Sequence, residues 1–79
     1  MRAKMQVSSV ESFQGGAEKV NYSCVTGTAP FGPNGESEDN TFARYSPSGT
    51  LTITITNPDL KGTIQPGQKF YVDFTPADA

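Results

Sequence analysis

Residues 50 to 56 read TLTITIT, a run in which Leu51, Ile53 and Ile55 alternate with Thr50, Thr52, Thr54 and Thr56. A period of two puts the aliphatic side chains on one face of an extended strand and the hydroxyls on the other. β-Branching disfavours a helix here and suits a pleated surface. The run carries no charge and no proline, so it pairs readily with any strand it meets, and a soluble chain must cover it. Two covers are expected: a central position in the sheet, or a second copy of the chain against the threonine face.

The same alternation recurs along the chain, and helical periodicity does not. In AKMQV, Ala3, Met5 and Val7 share one face. The phase slips before Val10, across Ser8-Ser9, which predicts a β-bulge. Gly15-Gly16 predicts a hairpin turn, and the return strand KVNYSCVTGT places Val20, Tyr22 and Cys24 together. Residues 29 to 40, APFGPNGESEDN, predict one long loop. TFARY, residues 41 to 45, resumes strand alternation, and Ser46 to Gly49 predicts a turn. After TLTITIT, Asn57-Pro58 ends the strand and caps a single helical turn through Leu60. QPGQ turns again, and KFYVDFT closes the pattern with Phe70, Val72 and Phe74 inward. The expectation is a single all-β domain over residues 1 to 79: a small five-stranded antiparallel sheet or partly open barrel with one long loop. If the barrel closes, its first and last strands pair.

Size limits what such a chain can do alone. Its 79 residues are only 34% hydrophobic, with no tryptophan. A domain this small buries about 60% of the surface of its unfolded chain, so the core is thin. One cysteine excludes an internal disulfide, and the absence of histidine excludes a Cys/His zinc cage. Self-association is the remaining supplement. The net charge of −2 and six scattered basic residues offer no stripe for a nucleic-acid polymer. No apolar leader follows Met1-Arg2, and no run reaches the length of a membrane span. Asn21-Tyr22-Ser23 fits a glycosylation sequon, read here as coincidence.

Catalytic chemistry finds little support. Cys24 has no histidine to activate it and is in phase with core residues, so it reads as an inert thiol. The serines lack a base. Glu36, Glu38 and Asp39 lie in a loop open to water, where nothing raises a carboxyl pKa. With Asn34 and Asn40 they offer oxygen ligands, but their order does not match a calcium loop. No enzyme activity, cofactor or metal is expected. In NTFARY, strand alternation sets Phe42 beside Arg44, with Asn40 and Thr41 at the loop exit and Tyr45 next in line. A guanidinium beside an aromatic ring binds phosphate and stacks on a base. Asn40, Thr41, Phe42, Arg44 and Tyr45 are therefore the candidate ligand-binding residues. The competing reading makes Phe42 core and pairs Arg44 with Glu36, Glu38 or Asp39.

SEDNTFARYSPSGTLTITITNPDLKG, followed by PGQKFYVDFTP, resembles a family of small uncharacterised proteins of tailed phages and prophages along nearly the whole chain. Small phage accessory proteins include virion components and inhibitors of host defence. Among the latter are oligomeric anti-CBASS sponges that sequester cyclic-nucleotide immune signals. The resemblance implies a non-enzymatic homo-oligomer in the cytoplasm of the infected bacterial host, holding a small anionic ligand such as a cyclic nucleotide. The alternatives are a virion structural or decoration protein and, with less support from the acidic balance, a single-stranded nucleic-acid-binding module.

Overall fold

The computed structural model describes residues 1–26 and 32–78. Four strands form one antiparallel sheet: β1 (Arg2–Ser12), β2 (Glu18–Cys24), β3 (Thr50–Ile55) and β4 (Lys69–Asp73). Their order across the sheet is β3-β2-β1-β4, a Greek-key arrangement in which the last strand returns beside the first. Among the described residues the only helical piece is a 3-10 turn over Pro58–Leu60, and no helix is long and apolar enough to cross a membrane.

Local chemistry explains each connection. The β1–β2 hairpin turns through Gly15 and Gly16, whose φ angles of 99° and 96° are open only to glycine at little cost. The expected bulge is present. Val7 faces Tyr22 but Ser9 faces Asn21, which leaves Ser8 as the extra residue. The Ser8 hydroxyl donates to the Asn21 carbonyl at 3.0 Å, and Asn21 Nδ2 donates to Ser9 Oγ at 2.9 Å. Those bonds occupy polar groups around the slip, which returns Val10 to the apolar side opposite Val20. Asn57 caps the 3-10 turn as expected, its Oδ1 accepting from Asp59 N–H at 3.0 Å.

The core occupies one face of the sheet. Ala3, Met5, Val7, Val20 and Tyr22 are buried there, with Val10, Cys24, Leu51, Ile55 and Val72 packed beside them. The connection from β3 to β4 must run from one edge of the sheet to the other. It carries Ile64 against the core, and Gly62 N–H donates to Glu18 Oε1 at 3.0 Å. Glu18 is buried on the apolar face, so this bond both satisfies its carboxylate and fixes the crossover.

Several expectations need correction. The sheet has four strands rather than five, because TFARY forms turns and bends. The second strand was expected to reach residue 28; β2 ends at Cys24, and residues 27–31, which include the start of the expected long loop, lie outside the described residues. The first and last strands do pair, Ala3 with Val72 and Met5 with Phe70, yet the barrel stays open. Closure would require β3 to meet β4, and the crossover carrying Ile64 instead joins these opposite edges over the core. TLTITIT is accordingly an edge strand rather than a central one.

Candidate functional site

The chain leaves β2 beside the start of β1, and the segment before β3 fills the vacated slot. Val25 N–H still donates to the Lys4 carbonyl at 3.0 Å, but β2 reaches no further along β1. Asn40 and Thr41 take over. Asn40 Oδ1 accepts from Lys4 N–H at 2.9 Å while its Nδ2 donates to the Val25 carbonyl at 2.8 Å. Thr41 Oγ1 accepts from Arg2 N–H at 2.7 Å, and Thr41 N–H donates to the Arg2 carbonyl at 2.9 Å. Two loop residues thus serve as a short ladder for the end of β1.

Beyond this clamp the loop doubles back. Tyr45 N–H donates to the Gly35 carbonyl at 2.7 Å. Its ring lies so close over Gly35 that an added Cβ would sit 2.7 Å from ring carbons. Gly35 also has φ +77°, and Tyr45 itself adopts φ 60°. Between the two arms lies a cavity of about 420 Å³. Asn34, Glu36 and Ser37 line one arm; Thr41, Phe42, Ala43 and Arg44 line the other. Phe42 is half-buried, with part of its ring against the core. Arg44 is exposed, and no hydrogen bond or ion pair joins its side chain to another described residue.

Three of the five expected ligand residues therefore meet at one cavity: Thr41, Phe42 and Arg44. Asn40 does not line it: it is 2% exposed, with its amide engaged by the backbone. Tyr45 fastens the far arm through Gly35 and does not line the cavity. The strand geometry that was to set Phe42 beside Arg44 is absent, but the turn brings both to the same wall. Of the acids offered as partners for Arg44, Asp39 is committed elsewhere. It accepts from the Tyr71 hydroxyl at 2.7 Å and stands 3.5 Å from Lys4 Nζ. The Tyr71 hydrogen bond, aided by Lys4, holds the Asp39 carboxyl below the usual carboxylate range, and the same bond raises Tyr71.

Sequence reasoning missed Ser37 and Ala43 as lining residues; it weighed Asn34 only as a metal ligand, and Glu36 as a metal ligand, a catalytic carboxylate or an ion-pair partner of Arg44. Glu36 adds an acidic group to the cavity that Arg44 also lines. Among the described residues no group of three or more Cys, Asp or Glu side chains is placed to hold a metal ion. A second cluster went unread on the polar sheet face. Arg2 Nε donates to Asp73 Oδ1 at 2.7 Å, and the guanidinium stands 4.7 Å from the centre of the Tyr71 ring. Once β1 and β4 pair, Arg2 falls opposite Asp73 and Lys4 opposite Tyr71, so the alternation of both strands contained this signal. Cys24 is half-buried beside the core, and burial pushes its thiol pKa up, the direction that suppresses nucleophilicity. No family model, curated protein or solved structure matches this chain, and the resemblance to phage proteins rests on the sequence runs quoted above alone.

Proposed function

We propose that the chain is a phage-encoded, non-enzymatic binding protein that acts as a homo-oligomer in the host cytoplasm. Its ligand is a small anion, most specifically a cyclic-nucleotide immune signal. The observation that carries this reading is that Arg44 and Phe42 both line one cavity of about 420 Å³. That volume lies within the roughly 300–1,000 Å³ usual for small-molecule sites. A guanidinium forks onto phosphate oxygens, and an aromatic wall stacks a base.

Charge narrows the ligand class. One arginine and one glutamate line the cavity, so the site suits one negative charge on a phosphate better than two. A phosphodiester carries one charge per phosphate, whereas a terminal phosphate carries nearly two at neutral pH. Glu36 also accepts hydrogen bonds, which suits the N–H edge of a base. Equilibrium dialysis against cyclic mononucleotides, cyclic dinucleotides, their linear counterparts and nucleoside monophosphates tests this. Retention of a cyclic phosphodiester above its linear monophosphate is expected. Retention of no cyclic nucleotide at near-millimolar ligand would overturn the reading.

A virion structural or decoration protein is the second reading, favoured by a different observation: among the described residues the sheet is a single open layer whose edge strands, β3 and β4, have no outer neighbour. A single-stranded nucleic-acid module has less in its favour, because Arg2 and Lys4 on the polar face are paired with Asp73 and Asp39.

A further inference from the structure

We infer that the outer edge of β3 is a self-association seam, on which a second copy of this chain adds its own β3 antiparallel about a two-fold axis. This specifies the homo-oligomer proposed above, but it does not depend on the ligand, because the cavity is lined by residues of one chain.

The two sheet edges are guarded differently. β4 carries Lys69 and Asp73, charges of the kind that discourage strand addition. β3 has six residues with no charge, proline or bulge. Cys24 N–H donates to the Gly49 carbonyl, so the odd-numbered residues of β3 turn their backbone groups to β2. Thr50, Thr52 and Thr54 turn theirs outward, away from the sheet. A partner strand would satisfy them.

The strand is complementary to itself. Antiparallel pairing centred on Ile53 sets Ile53 against its own copy, Leu51 against Ile55, and Thr52 against Thr54. Directly opposed residues share a face, so both apolar faces become continuous. Ile53, 42% exposed in the single chain, gains cover at the centre of the seam. An isologous contact of this kind closes as a dimer.

The single chain also shows more surface than its mass requires. An 8.4 kDa globule is expected to expose about 4,600 Å². This chain exposes 5591 Å², an excess of about 1,000 Å². A stable interface takes about 800 Å² from each partner. The radius of gyration is 14.6 Å, against about 12 Å for a compact chain of this length, and the shortest dimension is only 17 Å.

Sedimentation equilibrium of the full chain at tens of micromolar is the test, run with variants. The wild type is expected at twice the 8.4 kDa chain mass. Thr52→Pro removes only an outward N–H, so it should give a folded monomer while leaving the β2–β3 ladder intact. The double substitution Thr52→Lys and Thr54→Lys sets like charges across the seam and should also give a monomer. It decides the matter if the proline variant does not fold. In a Cys24→Ser background, Ile53→Cys should form an intermolecular disulfide under mild oxidation, and Leu51→Cys should not. A monomeric wild type overturns the inference. So does a dimer that survives the lysine pair while Ile53→Cys fails to cross-link.

Discussion

Asn40 joins the loose ends of two strands with one amide. β2 stops at Cys24, which leaves the Lys4 N–H and the Val25 carbonyl without ladder partners, and the buried Asn40 side chain satisfies both. Asn40→Ala should therefore destabilise the fold by roughly 1–3 kcal/mol for each group left bare. Urea unfolding measures this; an unchanged midpoint would show the amide to be dispensable. Sequence placed Asn40 in the candidate site because it is polar and flanks the loop exit. Whether such an amide faces outward or inward depends on where β2 leaves β1, which no local pattern records. Gly35 has two reasons to be glycine, its φ of +77° and the Tyr45 ring over its Cα. Gly35→Ala should cost about 1–3 kcal/mol in backbone strain, displace the ring and open the cavity's far arm. A lower melting temperature with a shifted Tyr45 side-chain resonance is the expected result.

At the scale of elements, the β1–β4 pair gives the molecule a defined pH window. Arg2 holds the Asp73 carboxyl below its ordinary value of 3.8, and Tyr71 does the same for Asp39. Both folded-state pKa values are depressed. Their stabilisation is therefore present above the unfolded value and is lost as pH falls through the folded one. Tyr71 is raised above its ordinary value of 10.0. Its contribution is full below that value and is lost as pH rises through the raised one. Melting temperature should be flat from above the carboxylate range to about the ordinary thiol value of 9.0, where the raised Cys24 adds its own loss, and should fall at both ends, by modest and salt-sensitive amounts where the groups face solvent. Tyr71→Phe should weaken both falls, leaving at the alkaline end the part that belongs to the raised Cys24 thiol. An identical profile for the variant would show that the Tyr71–Asp39 bond carries no stability.

The long alternating runs at β1, β2, β3 and β4 were legible because each has a hydrophobic face that a neighbour can cover. TFARY has the same alternation over a shorter span and is not a strand. Its Phe42 turns to the core and its Arg44 to the cavity, and only Asn40 and Thr41 find a place against the backbone of β1. Five residues of alternation do not distinguish a strand from a turn with one anchor. Glu18 was illegible for a related reason. Strand parity puts it on the apolar face, and only the returning crossover supplies Gly62 N–H to its carboxylate. Glu18→Gln keeps the acceptor and should be mild. Glu18→Val removes it, and faster amide exchange at Gly62 than at the strand residues is the expected sign of a loosened crossover.

For the molecule as a whole, the all-β class followed from periodicity, but openness did not. The pairing of first and last strands is compatible with a closed barrel and with this Greek-key order. What decides between them is the crossover with Ile64, which covers the core instead of making a tight turn between β3 and β4. The result is a thin sheet with its apolar centre covered by loops and its candidate binding residues gathered where β2 departs from β1. The proposed function rests on that gathering, above all on Arg44. Calorimetric titration of a cyclic nucleotide into wild type, Arg44→Ala and Arg44→Lys tests it most directly. Wild type should bind. Arg44→Ala should weaken binding by about two orders of magnitude, the loss of charged hydrogen bonds worth roughly 1.5–3 kcal/mol each. Arg44→Lys should recover little, since lysine lacks the planar fork. Thermal melts of all three should coincide, because Arg44 is exposed and joined to no other described residue by an ion pair. Equal affinity in wild type and Arg44→Ala, with both folded, would contradict the account.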